Sequence, residues 1–243
     1  MTDSFESIFK DKNKILVVMA HPDDNEIVCG GIVARLIDEG KKVRVVVMTN
    51  GGKGMRDRTD VNEEQFAKIR LIEQKKAGVE LGLSEDDMFN LNIADGELED
   101  SLENIGKIVY HIREFKPDII ITHNPEEKIN TFSEDTKWVN HRDHRYTATL
   151  VLDAAYPYSR DTAFFPEQLK NGLSPHCVGQ FLMSDFYTHP DAKYFEVGKY
   201  LDKRRKALEK HTNGLDQEEI DSFMEEIQKE NGHFETLRYL NTD

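Results

Sequence analysis

Two carboxylates and an imidazole stand side by side where the first apolar run of the chain ends. Residues 15–19 read ILVVM, and residues 20–26 read AHPDDNE. The apolar run is typical of a buried parallel strand. Asp23 and Asp24 repel each other unless a cation or a proton lies between them, and His21 can supply a nitrogen ligand. The segment therefore predicts a metal site with one carboxylate to spare.

A second cluster of the same chemistry, residues 141–144, reads HRDH. A catalytic zinc takes three protein ligands and keeps a fourth position for water. His21, Asp24 and His144 would supply these ligands, and another divalent metal such as Fe²⁺ would also suit them. Asp23 is then free to act as general base on the metal-activated water. This arrangement predicts a hydrolase, most naturally of an amide.

His141 lies three residues before His144, so both can face one side at the start of a helix. Only one of the two is needed as a ligand if water is to occupy the fourth position. The other would protonate a leaving group or stabilise an oxyanion.

The elements that must position these residues alternate between strands and helices. Apolar runs predict strands at residues 15–20, 43–49, 88–93 and 118–122. Amphipathic stretches predict helices at residues 26–39, 98–115 and 141–155, and Asp60 with Glu63 predicts a capped helix that ends near Leu81. Further short strands are expected at residues 177–185 and 194–197, with helices at 199–209 and 216–230. The pattern predicts an α/β fold of the Rossmann-like, doubly wound type, with a mainly parallel sheet and helices on both faces.

In such a sheet, ligands bind beyond the carboxyl ends of the strands, where the strand order reverses. In the common arrangement this point lies between the first and fourth strands. The His21 cluster follows the first strand, and the polar stretch after the fourth strand leads to the His141 cluster. The metal site is therefore expected at the carboxyl ends of strands one and four.

Composition narrows the class of protein. The chain has 243 residues, with 46 Asp and Glu against 32 Lys and Arg, which disfavours nucleic acid and anionic membranes as partners. Two cysteines, Cys29 and Cys177, do not make a disulfide framework. The polar N-terminus and the lack of a long apolar run indicate a single soluble, cytoplasmic domain over residues 1–243 without stable membrane insertion. A homo-oligomer is compatible with the sequence.

The motifs carry a resemblance. The segment 20–24, the pair Gly30-Gly31 and the motif 141–144 resemble the PIG-L/LmbE-like family of zinc-dependent N-deacetylases, and the resemblance covers most of the chain. It implies a Zn²⁺ enzyme that deacetylates a small N-acylated amino-sugar substrate of the N-acetylglucosamine type. It also implies His21, Asp24 and His144 on zinc, Asp23 as base and His141 at the transition state. Arg70 and Asp95 are expected to contact sugar hydroxyls, although a solvated helix residue and a turn former are the simpler interpretations.

The chain departs from the family pattern at two places. Asn25 follows Asp24 where many members have Glu, and residues 126–140 make a longer connection than usual. The long connection is expected to form a loop over the pocket that helps to select the substrate. Its aromatic residues, Phe132 and Trp138, would then be able to stack on a sugar face.

Two other classes of function compete with a hydrolase. An Fe(II) oxygenase with a His/Asp/His triad uses similar ligands, but a sandwich of short strands is expected there. A non-enzymatic Rossmann-like binding module needs a glycine-rich first turn for the pyrophosphate. The first turn here carries two carboxylates, which would repel that group.

Overall fold

The computed structural model describes residues 1–126, 128–131, 137–184 and 189–242. Within these residues the strands are β1 (Lys14–Met19), β2 (Lys42–Thr49), β3 (Met88–Ile93), β4 (Ile119–Thr122), β5 (Ile129–Thr131), β6 (Lys137–Val139), β7 (Gln180–Ser184), β8 (Ala192–Glu196), β9 (Gln228–Lys229) and β10 (Gly232–Asn241). The α-helices are α1 (Phe5–Phe9), α2 (Asp24–Asp38), α3 (Glu63–Leu81), α4 (Leu102–Phe115), α5 (Arg142–Asp153), α6 (Pro166–Lys170), α7 (Leu201–Leu208) and α8 (Gln217–Glu226).

The main sheet has the strand order β3-β2-β1-β4-β7-β10-β8. β1 pairs in parallel with β2 on one side and with β4 on the other. The chain therefore returns from β3 at one edge to β4 beyond β1, and the order reverses beside β1 as the sequence predicts. β10 runs antiparallel to its two neighbours, β7 and β8. The predicted doubly wound, mainly parallel α/β sheet is confirmed, with an antiparallel strand in its second half.

Side chains of β1 enter both faces of the core because successive residues of a strand point to opposite sides. Ile15 and Val17 belong to the hydrophobic cluster that includes apolar residues of α2, α3 and α7. Leu16 and Val18 belong to the cluster on the other face, with apolar residues of α4 and α5. Helices cover both faces of this sheet, whereas an Fe(II) oxygenase is expected to have a sandwich of short strands. The fold therefore disfavours the oxygenase interpretation.

The boundaries of several elements differ from their predictions. α3 begins with a capping box formed by Asn62 and Gln65, not by Asp60 and Glu63. α4 begins at Leu102 because the Ser101 side chain accepts the Asn104 amide proton and caps the helix there. The helix predicted to reach residue 230 ends at Glu226.

The strands β5, β6, β9 and β10 were not predicted. β5 and β6 form a hairpin within the long connection before His141. Residue 127 and residues 132–136, which include Phe132, lie outside the described part of this connection. β10 occupies residues after α8 for which the sequence indicated no strand.

In the described ranges, no helix combines the length and the apolar character that crossing a membrane requires.

Candidate metal centre

Three side chains from two regions of the chain meet beyond the end of β1. His21 follows β1, Asp24 begins α2 and His144 lies in the first turn of α5. Nδ1 of His21 lies 3.2 Å from Nε2 of His144 and 3.3 Å from Oδ2 of Asp24. Nε2 of His144 lies 3.2 Å from Oδ1 of Asp24. The structure brings together the three side chains that the sequence predicts as metal ligands.

The spacing of these atoms fits a small divalent cation. Zinc with tetrahedral ligands at about 2.0–2.1 Å holds its ligand atoms about 3.3 Å apart. The two imidazole nitrogens are 3.2 Å apart, and each lies 3.2 or 3.3 Å from a carboxylate oxygen. Two imidazoles and one carboxylate are also a donor set found in zinc hydrolases. These residues therefore fit a catalytic divalent metal in the positions that they occupy.

Other His and Asp side chains surround this set. Groups whose possible ligand atoms all lie within 4.8 Å of one another are His21, His141 and His144; Asp24, His123 and His144; and His21, Asp95 and Asp143. Every group contains at least one of the three predicted ligands. The groups therefore describe one neighbourhood and the shell around it.

The outer nitrogens of the two candidate ligand histidines face acceptors. Nε2 of His21 lies 3.4 Å from Oδ1 of Asp95 and 3.5 Å from Oδ2 of Asp143. Nδ1 of His144 donates to Oδ1 of Asn140 at 3.1 Å. Such outer partners set which nitrogen carries the proton and aim the other nitrogen at a metal. The inner nitrogens of His21 and His144 are thereby directed toward each other and toward Asp24.

His123, at the end of β4, is buried within the same neighbourhood. Its ring stacks on His144 with centroids 4.1 Å apart. Its Nε2 accepts a hydrogen bond from the Ala20 amide at 3.1 Å, so the one lone pair of this nitrogen is engaged. Burial first, and the charge of His144 second, lower the pKa of His123 to about 4.

His141 caps the helix that carries His144. Its Nδ1 accepts the Asp143 amide proton at 3.1 Å. A neutral imidazole that accepts at Nδ1 carries its proton on Nε2. Burial, and then the charges of His21 and His144, lower the pKa of His141. The exposed edge of His141 therefore presents an N–H donor beside the three candidate ligands, with its ring centroid 4.6 Å from that of His21.

Asp23 faces a different partner from its neighbour Asp24. Its Oδ2 lies 2.8 Å from Nη2 of Arg70, which also donates to the Pro22 carbonyl. The backbone of Asp23 has φ 124° and ψ −28°. Residues other than glycine rarely adopt this backbone conformation, and such strained residues cluster at functional sites. Burial raises the pKa of Asp23, although the Arg70 charge opposes the shift. Asp23 is thus paired with Arg70, and among the described residues no candidate ligand group includes it.

The charge balance of the cluster favours a cation. Burial alone would lower the pKa of His21, but the neighbouring carboxylates, first that of Asp143, raise it well above its ordinary value. Burial alone would raise the pKa of Asp24, but His144 and then His123 hold it well below its ordinary value. Both shifts mean that positive charge is stabilised between these side chains.

Arg70 and Asp95, the predicted sugar contacts, are both buried, at 5% and 7% exposure. The guanidinium of Arg70 is packed so closely that a Cβ at Gly214 would lie 2.7 Å from its Nη1. Oδ2 of Asp95 accepts the Lys53 amide proton at 3.0 Å. The described partners of both residues belong to the protein, and their sugar contacts stay predictions.

Some neighbours of the centre had weak or no signals in the sequence. Asp143 lies inside the predicted motif but was given no role, and Asn140 directly precedes that motif. His211 had no signal, because it comes from the loop after α7 and reaches Oε2 of Glu26 with its Nε2 at 3.2 Å. Only tertiary structure places this residue beside the first turn of α2.

Known proteins resemble this chain over the region that carries both clusters. Residues 16–155 match the PIG-L family, described as GlcNAc-PI de-N-acetylase. A diacetylchitobiose deacetylase of Thermococcus kodakarensis is 28% identical over 206 residues, which cover 84% of this chain and 70% of that protein. A 1D-myo-inositol 2-acetamido-2-deoxy-alpha-D-glucopyranoside deacetylase of Segniliparus rotundus is 28% identical over 170 residues, and the match spans half of its length.

A solved structure agrees over nearly the whole chain. The N,N'-diacetylchitobiose deacetylase from Pyrococcus horikoshii, complexed with its inhibitor MPG, superposes with a TM-score of 0.83 at 25% identity. The superposition covers 98% of this chain and 87% of that one. Because the family match spans more than half of the sequence and includes both His/Asp clusters, the chain belongs to the PIG-L family, the GlcNAc-PI de-N-acetylases.

Proposed function

We propose that this protein is a metal-dependent hydrolase that removes the N-acetyl group from an N-acetylglucosamine-type sugar conjugate. Zinc is the proposed metal, and His21, Asp24 and His144 are its proposed ligands. The observation that carries the proposal is the spacing of 3.2–3.3 Å between the two imidazole nitrogens and between each of them and one of the two Asp24 carboxylate oxygens. Membership of the PIG-L family supports the deacetylase reaction, and the names of the relatives support an acetamido sugar as substrate.

Asp23 is the proposed general base. A bound divalent cation lowers the pKa of a coordinated water and polarises an amide carbonyl. Asp23 neighbours the ligand Asp24 in sequence but pairs with Arg70 at 2.8 Å, so its carboxylate is not used as a ligand. It would take a proton from the attacking water and then give it to the sugar nitrogen as the C–N bond breaks, so that the amine leaves in neutral form.

His141 is proposed to stabilise the transition state. Because Nδ1 accepts the Asp143 amide, the neutral ring presents its Nε2–H. A donor in this position can bind the oxygen on which negative charge develops when water attacks the acetamide carbonyl. His141 then contributes to the rate without holding the metal.

We further propose that the whole chain works as a single deacetylase domain. β7, β10 and β8 extend the same sheet that carries β1 and β4. His211 and Glu235, from the C-terminal part, contact α2 directly. The residues after the family match at 16–155 therefore support the site rather than forming a separate unit.

The test is acetate release from defined substrates. The purified protein is stripped with a chelator and reloaded separately with Zn²⁺, Fe²⁺, Co²⁺ and Mn²⁺. N-acetylglucosamine, N,N'-diacetylchitobiose and an N-acetylglucosaminyl inositol are then offered, and both acetate and free amine are measured. We expect equimolar acetate and amine from the zinc-loaded enzyme and neither product from the stripped protein.

A matched pair of variants shows whether any activity arises at the proposed centre. His144→Ala should abolish product formation, whereas His233→Ala, on β10, should retain it. Zinc bound at one equivalent without acetate release from any of these acetamides would contradict the deacetylase assignment.

A further inference from the structure

The helix that begins with Asp24 is broken shortly after it starts. Cys29, within α2, has φ −150° and ψ 25°, which is not helical. The break separates a short first segment, which carries Asp24, from the longer segment that packs on the sheet. A break inside a helix leaves backbone N–H and C=O groups without their helical partners. Gly31 and Ile32, just after the break, are buried, so their amides need partners from elsewhere.

Two charged residues from the C-terminal part close this break. Glu235, on β10, accepts the Gly31 amide with Oε1 at 2.8 Å and the Ile32 amide with Oε2 at 2.7 Å. Arg204, on α7, donates from Nη2 to the Ile27 carbonyl at 2.8 Å. The carboxylate thus caps the start of the second segment, and the guanidinium caps the end of the first.

The two side chains also bind each other in the interior. Nε of Arg204 lies 3.0 Å from Oε1 of Glu235, and both side chains are 1% exposed. Arg204 is further held by a hydrogen bond from Nη1 to the Phe223 carbonyl at 2.8 Å. There is little slack around them, since a Cβ on Gly31 would lie 2.7 Å from Cβ of Val197.

We propose that Arg204 and Glu235 are positioning residues that hold the first segment of α2 in the orientation in which Asp24 faces His21 and His144. This inference rests on the proposed role of Asp24 as a metal ligand. An unbroken helix would satisfy the same amides and carbonyls by itself, without the desolvation of a buried ion pair. The break redirects the first segment relative to the second, and the ion pair fixes the angle between them. Its effect on the centre is indirect, since neither side chain belongs to the candidate ligand groups.

The test separates positioning from stability. Arg204→Lys and Glu235→Gln are compared with Arg113→Lys, a control at another fully buried arginine. Arg113 donates to backbone carbonyls that include those of Tyr158 and Phe164, in a segment away from α2. The affinity for Zn²⁺ is measured by competition with a chromophoric chelator, and the melting temperature is measured on the metal-free proteins.

We expect all three variants to melt at a lower temperature than the wild type. Zinc affinity should fall about tenfold in Arg204→Lys and Glu235→Gln, as when outer partners of metal ligands are lost, but not in Arg113→Lys. Once a substrate that the enzyme cleaves is identified, kcat should fall in Arg204→Lys and Glu235→Gln while KM changes little. If Glu235→Gln does not fold, Arg204→Lys and Glu235→Asp, which keep the charges but not the geometry, should bind zinc more weakly than the wild type.

Wild-type zinc affinity in the foldable Arg204 and Glu235 variants would overturn the inference and leave the pair a purely structural role. Failure of the wild-type protein to bind zinc would instead contradict the proposed metal centre, and the same titration reveals that result separately.

Discussion

Asp23 and Asp24 are neighbours in sequence with opposite electrostatic surroundings. Imidazoles, first that of His144, hold the pKa of Asp24 well below its ordinary value. Burial raises the pKa of Asp23 against the opposing charge of Arg70. When the surroundings of two adjacent acids push their pKa values apart, the two acids are suited to different tasks. One carboxylate is fit to remain an anion beside a cation, and the other is fit to exchange a proton.

Asp23→Asn should therefore retain the metal and lose the chemistry. The amide has a similar shape, but it cannot take a proton from the attacking water. A general base contributes roughly 10²–10⁴-fold to the rate, so kcat should fall by about that factor while zinc content, measured by elemental analysis, stays at the wild-type value. Asp38→Asn, at an exposed carboxylate near the end of α2, is the control. Activity within about threefold of the wild type, on that scale of base catalysis, would remove Asp23 from this role.

The two histidines of the second cluster should separate by readout. His144 directs Nε2 at Asp24 and His21, whereas His141 uses Nδ1 to cap α5. His144→Ala should thus weaken zinc binding, and His141→Ala should lower kcat with zinc still bound. Chelator competition and steady-state kinetics on both variants provide the comparison. Loss of metal from the His141 variant alone would exchange the two roles.

At the scale of elements, the sequence predicts the strands that are apolar throughout. It does not predict a strand whose buried charge depends on partners from distant parts of the chain. β1 and β4 are predictable because a parallel strand buried on both faces needs apolar residues throughout. β10 is not, because Glu235 interrupts its apolar pattern. The burial of that carboxylate becomes acceptable only through Arg204 and the two α2 amides, which lie far away in sequence.

The candidate site follows the same division. His21, Asp24 and His144 are predictable because their types and their positions after strands one and four already restrict the chemistry. The contacts of Arg70 with Asp23, and of Asn140 with His144, depend on side-chain directions that no motif encodes. The sequence therefore predicts the candidate ligands better than it predicts the groups that orient them.

We propose that the β5–β6 hairpin helps to select the substrate, since it leads directly into Asn140 and His141. Trp138 pairs with Asn130 across the hairpin, and Val139 pairs with Ile129. Adjacent strand residues point to opposite faces. Asn130 is buried at 6% exposure, and Trp138 is less exposed than Val139, at 44% against 73%. Trp138 therefore lies on the same face as Asn130, with part of its ring open to solvent.

Trp138→Ala should change the preference between mono- and disaccharide substrates, whereas Val139→Ala should not. An aromatic contact of this kind contributes about 0.5–1.5 kcal/mol, which corresponds to a roughly twofold to tenfold change in the ratio of kcat/KM values. Replacing residues 130–138 by a short Gly-Ser linker should change the substrate preference further. This deletion retains Asn140, so zinc content should stay the same. An unchanged preference across the panel in both variants would reduce the hairpin to a surface feature.

For the molecule as a whole, the last strand, β10, links the C-terminal part of the chain to the helix α2. β10 lies between β7 and β8 in the sheet, and its Glu235 reaches the helix that begins beside the candidate metal centre. The part of the chain that follows the family match is therefore coupled mechanically to the part that carries the motifs. Charges buried at this junction should also influence how stability depends on pH.

Glu226, at the end of α8, is one group that should make stability depend on pH at this junction. Burial raises its pKa from 4.5 to about 7, with Arg204 and Lys229 opposing the shift and Glu235 adding to it. Between these two pH values the folded chain binds more protons than the unfolded chain, because the unfolded carboxyl has the ordinary pKa. The contribution of Glu226 to stability is therefore complete below pH 4.5 and is lost as the pH rises to about 7.

Glu226→Gln, which stays neutral throughout, should melt like the wild type at the acidic end of this range and at a higher temperature than the wild type above it. Melting curves of both metal-free proteins across the range test this, with Glu225→Gln, at the exposed neighbouring position, as the control. A pH profile of Glu226→Gln parallel to that of the wild type would show that this carboxyl does not titrate on unfolding.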